Sequence, residues 1–191
     1  MTDTSQRILD AALLVFGRDG VSGATTREIA RAAKVNEVTL FRYFKNKNEL
    51  LRQVVLQSCK RYEQVFAEAS VKTPADLRRT VRTYAEAHAQ KFRDNEDLVR
   101  TFVGEMNRHL KLCRSLFVES MKPVRQRFIA YLQAAQKARL VREDLDPTIA
   151  ADALSGMLLA GALRRPLTES IYGSRRYVGT CVELFLKGIE R

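Results

Sequence analysis

This sequence is short of everything that interrupts a helix. Only four prolines and nine glycines punctuate its 191 residues. With Ala, Leu, Arg, Lys and Glu abundant, that scarcity favours an all-α chain. Cysteine is scarce as well: Cys59, Cys113 and Cys181 are far apart and odd in number. They imply neither a disulfide framework nor a metal-ligand spacing, and read as buried thiols in a reducing cytoplasm. The two histidines, His88 and His109, stand on separate predicted helices. No nucleophile triad, paired acid and base, or glycine-rich phosphate loop accompanies them, which argues against an enzyme and against a cofactor. The longest apolar run, Met157 to Leu163, is too short to span a bilayer. The first ten residues lack the charged start and apolar stretch of a signal peptide.

What remains is the composition of a folded domain. Hydrophobic residues make up 46% and charged residues 29%, so disorder is disfavoured. The length suffices for one or two domains with an unstapled apolar core. The net charge of +11 attracts polyanions, chiefly nucleic acid or an acidic membrane surface. Basic residues extend well past the N-terminal third, among them Lys111, Arg125 and Arg176. Charge alone therefore does not locate a site, and a motif must.

Apolar spacing predicts about nine helices and no strand. The first starts near Thr4 or Ser5 with Ile8, Leu9, Ala12, Val15 and Phe16 on one face, and stops at the cluster Gly17, Gly20, Gly23. Thr25 to Glu28 reads as a capping box opening a short second helix with Ile29, Ala30 and Ala33 inward. After a tight turn at Lys34-Val35, Asn36 caps a short third helix ending near Phe44. A longer fourth helix opens at Asn46 to Glu49. Thr73-Pro74 and Asp146-Pro147 are cap-and-proline starts of later helices. Pro123 is expected to kink or divide a helix running from about 114 to 138, and 164 to 173 reads as a loop. A small head of about residues 3–63 thus precedes a larger helical body, 64–191.

Two short helices joined by a tight turn, braced by a first helix, follow helix-turn-helix logic, in which the second member enters the major groove. Here Leu40 and Phe44 face inward, four residues apart. Glu37, Val38, Phe41 and Arg42 face outward, flanked by Thr39 and Tyr43. Val38 and Phe41 suit thymine methyls or sugars if exposed; the alternative is that they pack in the core.

The stretch from Thr26 to Leu50 resembles the DNA-binding motif of the tetracycline-repressor (TetR) family, most diagnostically in Thr39-Leu40-Phe41-Arg42-Tyr43-Phe44 and Lys47. The resemblance is specific over roughly residues 4–55, with the motif at about 25–44. Lys34, Asn36, Val38 and Phe41 depart from the commonest residues at their positions. The resemblance implies a ligand-responsive transcriptional regulator with a palindromic double-stranded operator, more often a repressor than an activator. Arg27 is then placed to reach guanine or phosphate, Glu37 a cytosine amino group, and Thr39 a phosphate. Tyr43 and Lys47 become phosphate contacts that set register.

One recognition helix reads few base pairs, so a homodimer is expected. Small residues among large ones on the helix from Pro147 permit close approach, and the family pairs its last two helices across a two-fold axis. The corresponding side chains here are Leu154, Leu158, Ala162, Val178, Val182, Phe185 and Leu186. The family also encloses a small-molecule effector in the middle helices. The candidates are Tyr62, Phe66, Tyr84, His88, Phe102, Met106, His109, Phe117, Met121 and Phe128, for which ordinary core packing is the rival reading. A basic protein-interaction module and an amphipathic membrane binder are the remaining rivals; the helical pattern points away from a membrane partner. If Lys47 contacts phosphate, Lys47→Ala weakens binding to all duplexes alike and flattens the salt dependence by about one unit. Equal salt slopes for both proteins would count against that contact.

Overall fold

The computed structural model describes residues 3–60, 66, 69–105, 110–164 and 175–191; of residues 59, 60, 101–103, 105, 110–114, 117 and 118 only the backbone is described. Among the described residues the chain forms nine helices: α1 (Asp3–Gly23), α2 (Thr26–Ala32), α3 (Glu37–Tyr43), α4 (Lys47–Lys60), α5 (Pro74–Asp94), α6 (Glu96–Glu105), α7 (Leu110–Lys137), α8 (Pro147–Arg164) and α9 (Arg175–Ile189). The fold is all-α, as the spacing of apolar residues predicts. Of the stretch 164–173 expected as a loop, Arg164 still belongs to α8 and the rest lies outside the described residues.

The chain divides into two compact units: residues 1–60 with 95–120, and residues 61–94 with 121–191. The first unit is built on α1. Ile8, Leu9, Ala12, Val15 and Phe16 are buried with Ile29 and Ala30 of α2, Leu40 of α3, and Leu50, Leu51 and Val54 of α4. Leu98 of α6 and Leu116 of α7 join the same core. α1 does not stop at Gly17. It runs on to Gly20, whose φ of 77° breaks the helix before one more turn. Only the second glycine of the cluster adopts a conformation that other residues resist.

Capping is mostly as the sequence implies. Thr25 accepts from the Glu28 amide at 3.2 Å, Asn36 from Thr39 at 2.7 Å, and Asn46 from Glu49 at 2.8 Å. The reciprocal half of the first box is replaced by ion pairs, because the Glu28 carboxylate takes Arg18 of α1 and Arg31. At Thr73 the box closes in both directions: Asp76 N–H donates to the hydroxyl, and the Asp76 carboxylate accepts from Thr73 N–H, both at 3.1 Å.

The second unit packs α5 against α8 and α9, and α8 against α9. Leu77, Val81, Tyr84, Phe128, Leu132, Leu154, Val182 and Leu186 are buried there. Arg142 N–H donates to Ile189 O at 2.9 Å, tying the segment after α7 to the end of α9. Pro123 does not divide its helix, since α7 continues on both sides of it. A mid-helix proline removes one hydrogen bond and crowds one carbonyl, a cost that 28 helical residues can absorb.

Two helix ends share one design. After α2, Lys34 N–H donates to Arg31 O at 3.1 Å and Val35 N–H to Ala30 O at 3.0 Å. After α7, Arg139 N–H donates to Gln136 O and Leu140 N–H to Ala135 O, both at 2.9 Å. These are Schellman motifs, with Lys34 (φ 55°) and Arg139 (φ 59°) at the left-handed position usually given to glycine. The left-handed cost of a side chain exceeds the entropy that glycine adds to the unfolded chain. Lys34→Gly and Arg139→Gly should therefore each raise stability by roughly 0.5–1 kcal/mol in urea denaturation. Loss of stability in both variants would contradict this reading of the turns.

Candidate nucleic-acid interface

α3 is too short to be helical by itself. The Asn36 cap, the Lys34 turn and two core side chains hold it in place. Leu40 is 0% exposed and Phe44 5%. Because successive residues are about 100° apart, burying those two turns the neighbouring positions outward. Val38 is 73% exposed and Phe41 46%, so neither packs in the core. Arg27 of α2, Arg42 and Tyr43 of α3, and Lys45 just after it are exposed as well, and among the described residues no ion pair engages the three basic ones. Large apolar groups standing among unpaired cations form a surface suited to a nucleic acid, where phosphates meet cations and base edges meet methyls.

Ion pairs brace this surface from behind. Arg18 near the end of α1 binds Asp19 and Glu28, and the bond from Arg18 holds the Asp19 carboxyl below its ordinary range. Arg52 of α4 grips Glu119 of α7, donating from Nε at 3.0 Å and again from its terminal nitrogen.

Three of the expected contact residues have further partners. Lys47 Nζ donates to Val21 O at 2.8 Å and Ala24 O at 3.0 Å. It closes the carbonyl end of α1, leaving one of its three N–H groups for a phosphate. Thr39 Oγ1 donates to Asn36 Oδ1 at 2.8 Å, alongside the capping bond. Glu37, half-buried, accepts from the Thr26 hydroxyl of α2. Sequence spacing concealed Thr26, because its partner is eleven residues away on another helix.

In the second unit, several expected effector residues come together. Tyr84 and Phe128 stack at 4.1 Å between centroids, Phe66 lies 5.6 Å from Tyr84, and His88 lies 5.1 Å from Tyr84. Met121 is half-buried, with its sulfur 3.3 Å from Lys91 Nζ. Phe92, edge-on to His88 at 5.0 Å, and the buried Lys91 were not anticipated. Tyr62, Met106 and His109 lie outside the described residues, as do the side chains of Phe102 and Phe117. A groove of about 670 Å³ follows α5 and α9, between Arg82, Glu86, Gln90, Arg93 and Val178.

The side chains expected at a dimer face require correction. Leu154, Leu158, Val178, Val182, Phe185 and Leu186 are all buried inside the chain, and Ala162 is half-buried. They form the contact of α8 and α9 with α5 and with each other. Among the residues that α8 and α9 leave outside are Ile149 (68% exposed), Ala153, Gly156, Thr180 and Leu184 (61% exposed).

No described helix is long and apolar enough to cross a membrane. Residues 8–54 match the family described as bacterial regulatory proteins, tetR family, and residues 75–188 match the AefR-like transcriptional repressor C-terminal domain. The HTH-type transcriptional regulator AcrR of Shigella flexneri is 28% identical over 96% of this chain and 90% of its own length. The uncharacterized HTH-type transcriptional regulator YvkB of Bacillus subtilis is 46% identical, over 30% of each chain. The fatty acid degradation regulator FadR from Bacillus halodurans superimposes with a TM-score of 0.84 at 20% identity, over 100% of this chain and 99% of that one, a likeness of fold. The flavonoid-responsive regulator FrrA gives 0.70 at 26% identity, over 98% and 97%.

His88 offers a pH test of the second unit's core. Burial, with a smaller contribution from the Lys91 charge, pushes its pKa down from 6.5 to about 3. Above pH 6.5 the ring is neutral in both folded and unfolded chains. Below that, the unfolded chain takes up a proton that the folded chain refuses, so stability is lost as pH falls toward 3. Between pH 6 and pH 5 the wild type should lose up to about 1.4 kcal/mol more than His88→Leu, measured by urea denaturation. Parallel losses in the two proteins would contradict a buried neutral imidazole.

Proposed function

Because the chain belongs to the tetR family of bacterial regulatory proteins, and is a helix-turn-helix regulator of transcription, we propose that it is a cytoplasmic homodimeric repressor released from a palindromic operator by a small-molecule effector. The observation that carries this reading is the presentation of α3: Leu40 and Phe44 in the core, with Val38, Phe41, Arg42 and Tyr43 outside. Val38 and Phe41 meet base edges or sugars, and Arg27, Arg42, Tyr43 and the remaining N–H of Lys47 meet phosphates. Thr39 reaches phosphate by turning its hydroxyl away from Asn36.

The two copies meet through the outer faces of α8 and α9. Ile149, Ala153 and Gly156 follow one another at helical spacing on α8, as Thr180 and Leu184 do on α9. A Cβ added at Gly156 would meet nothing within 4 Å, so a partner helix has room to approach closely. A two-fold pairing there lets one chain's two copies read two half-sites about 34–36 Å apart.

The effector is taken up in the second unit, beside the aromatic group of Phe66, Tyr84, His88 and Phe128. It acts by binding the state with low operator affinity more tightly than the other. The flavonoid-responsive regulator FrrA, 26% identical, supports an apolar effector body.

Selecting bound fragments from a random duplex library tests the core of this proposal. An inverted repeat is the expected product; a motif without symmetry would refute the dimer on DNA. Sedimentation tests the face itself. The double variant Gly156→Arg, Leu184→Arg should raise the dimer dissociation constant by about a hundredfold or more while the monomer stays folded. An unaltered dimer would place the interface elsewhere.

A further inference from the structure

Thr26 and Glu37 are the first residues of α2 and α3, and the Thr26 hydroxyl donates to Glu37 Oε1. The bond fixes the conformation of an acidic side chain at the leading edge of the recognition helix. An acid there is an awkward neighbour for DNA. Arg27, Arg42 and Lys45 draw phosphates toward this surface, and Glu37 repels them. A carboxylate accepts hydrogen bonds and donates none. Its compatible partners in the major groove are therefore the amino groups of cytosine and adenine. Adenine sets its amino group beside the N7 lone pair, which faces the second carboxylate oxygen with like charge. Cytosine sets its amino group beside a C–H. With Oε1 engaged by Thr26, Oε2 is the oxygen turned free toward the base, and one amino donor with no lone pair beside it is what cytosine offers.

Holding the side chain also matters for affinity. A glutamate free in water loses rotamer freedom when it docks, at a cost of roughly ten-fold in binding. The bond from Thr26 imposes that order before DNA arrives, so the carboxylate meets the base already aimed.

We propose that Thr26 is a positioning residue for base selection, holding Glu37 so that its free carboxylate oxygen takes the amino group of a cytosine at one position of each operator half-site. This rests on α3 entering the major groove, and it adds a specificity device carried by α2.

The test uses the full-length protein and the operator recovered from a random duplex library. Each base pair of the half-site is varied singly and titrated with wild type, Thr26→Ser, Thr26→Val and Glu37→Gln. Wild type should prefer cytosine at one position by about ten-fold. Glu37→Gln should lose that preference at that position and nowhere else. Thr26→Val should bring the preference there to within about two-fold of the other bases, and Thr26→Ser, which keeps the hydroxyl, should retain it. Thermal melts check folding, and Thr26→Ala replaces the valine variant if that one fails to fold. Cytosine preference undiminished without the Thr26 hydroxyl overturns the proposal. So does a loss of affinity equal for all sequences, the signature of a phosphate contact or of a bond that only staples α2 to α3. If instead wild type selects no sequence, or variants of Val38, Phe41 and Arg42 alter no base preference, it is the groove-reading role of α3 that fails.

Discussion

The burial of Leu40 and Phe44 is the contact on which the functional surface depends. Seven residues cannot sustain a helix in water, and α3 has no other large side chain in the core. Each of the two contributes about 1.5–3 kcal/mol on leaving water. Rotation about the helix axis is thereby fixed, and with it the identity of every outward residue. The Asn36 cap, the Schellman turn at Lys34 and the Lys47 clamp on the end of α1 add direction to that anchor. The chain accepts a left-handed lysine in the turn because the two backbone bonds it closes set the angle between α2 and α3.

The parts that were legible in the sequence are those governed by local rules. Apolar spacing located the helices, and Thr25, Asn36, Asn46, Thr73 and Asp146 marked their starts, because a cap and its amide are three residues apart. The inward and outward faces of α3 followed from the same spacing. The parts that were not legible depend on what lies across from a residue. α8 is apolar almost all round, so periodicity could not say which face meets its own chain and which remains for a second copy. Leu154 and Leu158 went inward because α5 and α9 lie on that side. Ile149, Ala153 and Gly156 were left outside. Lys47 looked like a cation awaiting phosphate, yet two carbonyls 23 and 26 residues earlier take two of its protons. The Thr26 to Glu37 bond escaped notice for the same reason.

The composition of the first unit has a consequence for regulation. A three-helix head does not complete its own core: Leu98 of α6 and Leu116 of α7 are buried with Phe16 and Leu51. At Gly17, a Cβ would stand 3.0 Å from the Cβ of Asp97, so α1 and α6 approach as closely as a glycine allows. Arg52 of α4 is bound to Glu119 of α7. Residues 95–120 thus belong energetically to the unit that carries α3, although the chain reaches them only after α5.

Linkage then narrows how an effector can act. It shifts operator affinity only by the difference in its binding free energy between two states. In a dimer that reads two half-sites, two such states differ either in the packing around Leu40 and Phe44 or in the separation of the two α3 helices. The chain enters the first unit again at residue 95 and leaves it at 120, one residue past Glu119. Leu98 of α6 and Leu116 of α7 lie in the apolar cluster that α3 is seated in, so a push on either side chain is felt there. A close-packed interior responds to such a push by switching between arrangements rather than by yielding gradually. The same burial that aims α3 also ties its orientation to the packing of α6 and α7.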